Sequence, residues 1–362
     1  MANYTTVNDP SPYFGTTLYT GNQGTITLTR DDIGWLWVKR RGSDIRHCLF
    51  DNVRGGHYTG SGYKPVLVSD SNAASQGTDI NTAAKGVAFA SAQTVIGNDA
   101  AGYSYNRNGH SMVAWQWATG TSFSNDASST SVGTIDSAGS VNTTAGISII
   151  SYTGTGTAGT FAHGLNAVPK MMILKRNDGN GWSWIVYHVS MGNTKRTVLN
   201  NTGAAETVDY FQDTSPTSTV FSIKTNGNVN ASGGSYIAYF FAEKQGFSKF
   251  GSYVGNNSTN GTFVYTGFKP AFVMAKRTDG GTEGWSIFDN KRSTSGANLI
   301  DDFLVPNDNV AEVSQNVCDF VSNGFKFRHV DGKYHNNGGT YMYMAFAENP
   351  FVTSESIPAT AR

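Results

Sequence analysis

Charged residues are few in this chain, and the two signs cancel. Of 362 residues, 26 are basic and 26 are acidic, so the formal net charge is zero. Charged residues make up 14% of the chain, against about 25% in ordinary globular proteins. The chain therefore lacks the overall field that would attract nucleic acid or an anionic membrane. We expect no nucleic-acid partner.

Cysteine and long apolar runs are also scarce. The only cysteines, Cys48 and Cys318, each lie in an apolar, strand-like run, which favours buried free thiols over a disulfide. No run approaches the roughly 18 apolar residues of a membrane span, and the start, MANYTTVNDPSPYFG, lacks the pattern of a signal peptide. We expect a protein made in a cytoplasm, without membrane insertion.

Helix-forming residues are scarce as well, while β-forming and turn-forming residues are frequent. Leu, Glu and Lys are few, whereas Thr, Val, Ile and the aromatic residues are abundant and glycine accounts for 42 positions. This composition is typical of half-buried strands joined by frequent turns. The sequence therefore predicts an all-β protein.

One pattern occurs three times along the chain. Each copy opens with Tyr and Gly, at LYTG, SYTG and SYVG, and continues to a Lys-Arg pair that ends an apolar run: Lys39-Arg40, Lys175-Arg176 and Lys276-Arg277. Each closes with a similar apolar strand, HSMVAWQWA, GSYIAYFFAE or GTYMYMAFAE. Short strands with regular turns predict three tandem antiparallel β-sandwiches, of jelly-roll or concanavalin-like form.

The landmarks set the expected boundaries of these units. We predict an N-terminal arm, three repeats, a linker rich in Ser, Thr and Gly, a short joint and a C-terminal tail: 1–18 for the arm, 19–118, 152–243 and 253–351 for the repeats, 119–151 for the linker, 244–252 for the joint and 352–362 for the tail. The linker composition cannot build a core, so we expect a connector or an extended arm there.

The closing strands are apolar on both faces. In YIAYFFA the residues Tyr236, Ala238 and Phe240 alternate with Ile237, Tyr239 and Phe241. Because both faces of such a strand must be covered, one face is expected in the sandwich interior and the other against a sister unit or another subunit. The predicted contact residues are Tyr239, Phe241, Phe247, Phe250 and Met344.

These motifs resemble a known but uncharacterised group of repeats. The SYTG opening, the Lys-Arg hairpin, PTSTVFSI, ASGGSYIAYFFAE and GGTYMYMAFAENPF are similar to a repeat domain found in tail-fibre and other structural proteins of marine tailed bacteriophages. The resemblance covers nearly the whole chain and is weakest in the first repeat. It implies a virion component with a β-rich fold, and it supplies no catalytic residue.

Motifs for catalysis are lacking. The sequence has no HxH or HxxxH pair, no second cysteine near either cysteine, no GxSxG and no P-loop, so we predict no metal site, no cofactor and no catalytic residue. GTGTAG at 154–159 matches the dinucleotide pattern, but Gly164 and Pro169 follow where a helix is required. We interpret it as a hairpin turn.

Some turn and aromatic residues are candidates for binding. Asp178, the pair at 301–302 and Asp308 could hold calcium, although local turn hydrogen bonding explains them more simply. Trp182 and Trp285 follow glycine-rich turns, and we predict them at loop tips where they could stack on sugars, with core packing as the alternative. The Lys-Arg pairs are expected as solvated strand ends or salt bridges between units.

The leading functional expectation is a non-enzymatic structural protein of a tailed phage virion. A tail-fibre or receptor-binding element is favoured over a capsid decoration or head-fibre protein and over a tail adaptor. A polysaccharide depolymerase or a carbohydrate-binding module is a remote alternative. Expected partners are other virion proteins, further copies of the chain (a trimer by analogy with fibres) and host surface glycans.

Overall fold

The protein is built almost entirely of strands. The computed structural model describes residues 5–54, 66–73, 86–90, 93–99, 103–179, 181–293, 298–330 and 336–352. Within them, the two helices have four residues each: α1 (Ala127–Thr130) and α2 (Gly227–Asn230). Every pairing between named strands is antiparallel. The predicted all-β class and antiparallel sandwich units are confirmed.

The first unit spans residues 14–118. Its strands are β1 (Phe14–Thr20), β2 (Ile26–Thr29), β3 (Ile33–Arg40), β4 (Cys48–Asp51), β5 (Leu67–Val68), β6 (Val87–Ala90), β7 (Gln93–Ile96) and β8 (Ser111–Ala118). They form a five-stranded sheet in the order β1-β8-β3-β4-β5 and a three-stranded sheet in the order β2-β7-β6.

The second unit spans residues 121–241. Its strands are β9 (Thr121–Asn125), β10 (Ser137–Asn142), β11 (Ile147–Thr153), β12 (Gly159–Ala162), β13 (Met171–Arg176), β14 (Ile185–His188), β15 (Lys195–Val198), β16 (Glu206–Thr207), β17 (Val220–Ile223) and β18 (Ser235–Phe241). The large sheet runs β16-β15-β14-β13-β18-β11-β10-β9, and β12 pairs with β17.

The third unit spans residues 248–350. Its strands are β19 (Ser248–Val254), β20 (Phe263–Tyr265), β21 (Phe268–Arg277), β22 (Ser286–Asp289), β23 (Leu299–Leu304), β24 (Val313–Val321), β25 (Gly324–Phe327) and β26 (Thr340–Pro350). They form one sheet in the order β19-β26-β21-β22-β23-β24-β25-β20, in which β24 and β25 pack against β21.

The predicted linker is wrong, because residues 119–151 belong to the second unit. Strands β9 and β10 extend its large sheet beyond β11, and the backbone of Ile135 pairs with β12. Strand pairing uses main-chain N–H and C=O groups, which Ser and Thr supply as well as apolar residues do, so they suffice in β9 and β10. Ile135 and Val141 supply the buried contacts, and the side chain of Asp126 caps α1 by accepting from the Ser129 amide.

The arm and the joint also differ from their predicted boundaries. Strand β1 begins at Phe14, which pairs with Trp117, so only the residues before it are an arm. That arm binds the joint, where the Thr6 amide donates to the Gln245 carbonyl at 3.1 Å. Strand β19 begins within the predicted joint, at Ser248. The predicted C-terminal tail from residue 353 onward lies outside the described residues.

Each unit has a hydrophobic core of its own, between two layers of strands. In the second unit this core contains Phe161 of β12, Phe221 of β17 and the inward residues of β18. Corresponding cores enclose Leu28 in the first unit and Val264 in the third. The alternation predicted for the closing strand is confirmed, since Tyr236, Ala238 and Phe240 are the residues of β18 that face this core.

A fourth core is shared by all three units. Ile237, Tyr239 and Phe241, on the other face of β18, pack there with residues of the first and third units. Ring contacts join each pair of units, at 4.7 Å between the centroids of Trp35 and Tyr239, 5.5 Å between Trp117 and Phe272, and 6.0 Å between Phe241 and Phe346. The central strands of each unit's large sheet are therefore buried on both faces.

Replacing Phe241 with Ala tests how much the shared core contributes to the free energy of unfolding. Its ring contacts Trp35 of the first unit and Phe250 and Phe346 of the third. Phe241→Ala is expected to lower the free energy of unfolding by about 3–5 kcal/mol, measured by urea denaturation, because it opens a cavity among three sheets. The control Phe263→Ala removes a half-exposed ring and should change it by less than about 0.5 kcal/mol. Equal effects of the two substitutions would contradict this packing.

Candidate functional site

Three buried lysines join the units in a closed cycle. Lys39, Lys175 and Lys276 are the lysines of the Lys-Arg pairs, and all three are buried. Each amine donates to a carbonyl oxygen of another unit: Lys39 to Asn309 at 3.2 Å, Lys175 to Asn72 at 3.2 Å and Lys276 to Thr202 at 3.1 Å. The contacts run from the first unit to the third, from the third to the second, and from the second to the first.

The residue directly before β14 and the residue directly before β22 make further contacts between the same units. The Nε1 of Trp184 donates to the Val68 carbonyl at 2.9 Å, and the Nε1 of Trp285 donates to the Val198 carbonyl at 3.0 Å. His47 occupies this position in the first unit. Burial lowers its pKa well below the usual value, the nearby backbone of Val305 opposes that shift, and its Nε2 reaches no partner with hydrogen-bond geometry. The two tryptophan contacts run between the units in the same direction as the corresponding lysine contacts.

The last residues of β4 and β22 form a third set of contacts. The Tyr239 hydroxyl donates to Asp51 at 2.8 Å, and the Trp115 indole donates to Asp289 at 2.9 Å. Each carboxylate also binds a buried arginine three residues later, Arg54 or Arg292, at 2.6 Å. The arginines provide the opposite charge that a buried carboxylate requires.

In the second unit the donor and the acceptor are exchanged. His188 stands where the other units have Asp, and Met344, which has no N–H or O–H donor, stands where they have Trp115 and Tyr239. The Nε2 of His188 lies 3.1 Å from the Tyr343 carbonyl, so this nitrogen is the donor. Burial lowers the pKa of His188 to about 4, which keeps the ring neutral at pH 7. The exchange preserves the contact without a buried charge.

The buried amines act as hydrogen-bond donors. Burial lowers the pKa of Lys39, Lys175 and Lys276 to about 8, a shift that also occurs in catalytic lysines. The amine of Lys39 is surrounded by the carbonyl oxygens of Arg40, Ser43 and Asn309. The prediction of solvated lysines or salt bridges is therefore wrong, because the lysine partners are backbone carbonyls.

The two tryptophans predicted at loop tips are placed differently. Trp285 is only 1% exposed and lies in the shared core, so its prediction as a surface platform is wrong. The residues around this turn contact the second unit: the Ala205 amide donates to the Thr278 carbonyl, and the Trp285 indole donates to the Val198 carbonyl. Trp182 is half-buried, with the Arg176 guanidinium 4.4 Å from its ring centroid. One face of this ring is therefore covered.

The five predicted contact residues all lie in the shared core: Tyr239, Phe241, Phe247, Phe250 and Met344. Phe247 and Phe250 come from the joint, and both pack against Phe346. The apolar strand faces that suggested contact with another subunit are thus covered within one chain.

The acidic turns are occupied by local partners. Asp178 binds Arg176 at 2.7 Å, and Asp302 accepts from Ser314 at 2.6 Å. Within the described residues, no three His, Cys, Asp or Glu side chains are grouped so as to hold a metal ion. Both cysteines are buried free thiols, as predicted. The GTGTAG stretch leads into β12, which also fits the hairpin interpretation.

An exposed aromatic pair lies on β20, the last strand of the third sheet. The side chains of Phe263 and Tyr265 are 45% and 53% exposed, and Val264 between them is buried. The sequence search missed this pair because it favoured tryptophans after turns. The alternation of this three-residue strand, in which a single apolar residue separates two aromatics and threonines flank both ends, was the available signal.

Substituting Lys175 tests the buried amines through pH. The pKa of Lys175 is about 8 in the folded state and about 10.4 in an unfolded chain. Between these values the unfolded state binds more protons, so the free energy of unfolding rises with pH. Relative to Lys175→Met, wild type should gain about 1–2 kcal/mol between pH 7 and pH 9.5 in urea denaturation. The control is Lys195→Met, at an exposed position. If the difference in free energy of unfolding between wild type and Lys175→Met does not change with pH, the lowered pKa is refuted.

Comparison with known proteins places the chain in one family. Residues 9–350 match the family described as Domain of unknown function (DUF7483), so the match runs through all three units. No curated protein and no solved structure matches the chain. In the described residues, no helix is long and apolar enough to cross a membrane. The chain belongs to the DUF7483 family.

Proposed function

We propose that this chain is a non-enzymatic structural protein of a tailed phage virion, acting as a tail-fibre or receptor-binding element. The observation that carries the proposal is the shared core, in which three sandwiches are joined through Trp35, Tyr239 and Phe346. A body joined in this way cannot flex between its units without exposing apolar surface. It suits a protein that must hold binding loops at fixed positions against a large partner.

The polar contacts around the core support the same function. The lysine and tryptophan contacts connect all three pairs of units in one direction. Hydrogen bonds of this kind fix how the units are placed, because a shift would leave buried groups unpaired. The resulting scaffold leaves turns and sheet edges for contact with other virion proteins or with a host surface glycan.

A capsid decoration or head-fibre protein is the second candidate. The cyclic arrangement of three similar units within one chain favours it, because such a body can occupy a threefold site on a symmetric shell. A tail adaptor is a third candidate with the same support. The chain supplies three copies of the unit by itself, so the apolar faces that suggested contact with another subunit do not require one.

Two measurements on the same purified chain distinguish these candidates. Gold-labelled antibodies against the chain should mark one position on phage particles in electron micrographs, and that position is expected at the fibre. Added to host cells before infection, the chain should slow phage adsorption in proportion to its concentration. A matched amount of heat-denatured chain is the control.

The outcomes separate the candidates clearly. Label on the shell, without any effect on adsorption, would replace the fibre proposal with capsid decoration. Release of oligosaccharides from host envelope glycans would indicate a depolymerase. Absence of the chain from purified particles would contradict the virion proposal as a whole.

A further inference from the structure

The third unit exposes two aromatic rings that the fold does not require. Phe263 and Tyr265 are separated by one buried residue on β20, so both side chains leave the same face of the strand. Residues at this spacing are about 6.5–7 Å apart along a strand. Two exposed rings side by side form a small apolar patch, and contiguous apolar patches mark interaction sites more often than single exposed residues do.

The sister units carry small residues at the corresponding positions. The inward residues Leu28, Phe161 and Val264 are equivalent, since each belongs to its unit's own core and faces Thr94, Phe221 or Phe325 in the neighbouring strand. The residues on either side of them are Thr27 and Thr29 in the first unit, Thr160 and the buried Ala162 in the second, and Phe263 and Tyr265 in the third. The sandwich therefore forms without aromatic rings at these positions.

The two rings lie over the backbone of neighbouring glycines. Gly324 lies directly opposite Tyr265 in β25, and a side chain there would meet the Val264 carbonyl and the Phe263 ring. Gly267 follows in the turn, with a positive φ of 81° that favours glycine, and a side chain there would contact the Tyr265 ring. Lys326 lies opposite Phe263, and its amine donates to the Asn260 side chain at 2.6 Å. Each ring thus rests against a glycine, and the residue paired with Phe263 is polar.

A polar cleft adjoins Tyr265, one member of the aromatic pair. Tyr265 lines an open cavity of about 310 Å³ together with Glu243, Gln245, Lys249 and Thr266. The Lys249 amine binds Glu243 at 2.8 Å, so these two charges compensate each other. The cleft offers donors and acceptors without a net charge from this pair, which disfavours phosphate and other anions.

We propose that Phe263, Tyr265 and the cleft of Glu243, Gln245 and Lys249 bind an uncharged oligosaccharide of at least two sugar rings. A pyranose has an apolar C–H face that packs on an aromatic ring, and its hydroxyl groups require donors and acceptors beside it. Both requirements are met here within one surface. A hydrophobic peptide or a second copy of the chain would leave the polar cleft unpaired. The proposal deepens the receptor-binding function and rests on it for the origin of the glycan.

The test uses the full chain on an array of uncharged oligosaccharides of two to six hexose or N-acetylhexosamine units. Wild type is expected to bind at least one of them, and calorimetry with that sugar gives the affinity. The double variant Phe263→Thr with Tyr265→Ala carries the second unit's residues at these two positions and should weaken binding at least tenfold. Gln245→Ala tests the cleft and should weaken it at least threefold.

The matched control is Val254→Thr, which changes another exposed residue of the third unit outside the cleft. Val254 is 60% exposed on β19, and the second unit has Thr153 at this position. Its affinity should stay within twofold of wild type. Thermal melting of all variants checks folding. Folding is expected for the variants of β19 and β20, because the sister units fold with the introduced residues.

Several outcomes would overturn the glycan site. Wild type that binds no sugar, or a double variant that binds as wild type does, contradicts it. Sedimentation showing a wild-type dimer that the double variant does not form would assign this surface to a second copy. If the double variant still slows phage adsorption as wild type does, the receptor-binding function stands and the glycan site is rejected.

Discussion

Burial of a second apolar face on each large sheet is the constraint on which the rest of the structure depends. A sandwich normally needs to cover one face of each sheet. Here residues such as Trp37, Tyr239 and Met344 leave the opposite face, and all three lie in one core. Because no unit can cover that face alone, the three units form one body.

Polar contacts decide how the units are arranged around this core. Apolar packing is tolerant of small shifts, whereas a buried donor must meet its acceptor. The buried lysines carry a desolvation cost, which their lowered pKa reflects. We infer that this cost is offset by a unique arrangement of the units, since any other would leave Lys39, Lys175 and Lys276 without their carbonyl partners.

The exchange at His188 shows that the contact persists while its chemistry changes. Two units use a carboxylate with a buried arginine, and the second unit uses a neutral histidine with Met191 in place of the arginine. The histidine acts as donor because its partner is a carbonyl oxygen. The third unit correspondingly has Met344, so donor and acceptor have exchanged sides together.

Sequence patterns predicted the properties that repeat locally, and they failed where distant segments meet. The alternation in β18 identified both buried faces because it lies within seven residues. The turn before Trp285 suggested exposure, since nothing nearby shows that Val198 accepts its indole hydrogen. The Ser-, Thr- and Gly-rich stretch before β11 appeared unable to form a core, yet its strands join the sheet through main-chain pairing, β10 with β11 and β9 with β10. The aromatic pair of β20 was missed although its alternation with Val264 lies within three residues, because the search for binding aromatics followed the tryptophans after turns.

Differential scanning calorimetry of the full chain tests most directly whether the shared core makes three units into one body. If it does, unfolding is one transition, and the calorimetric enthalpy equals the van't Hoff enthalpy for the whole chain. Two or three separate transitions, each with the enthalpy expected of about one hundred residues, would show that the units are stable on their own and would contradict the account.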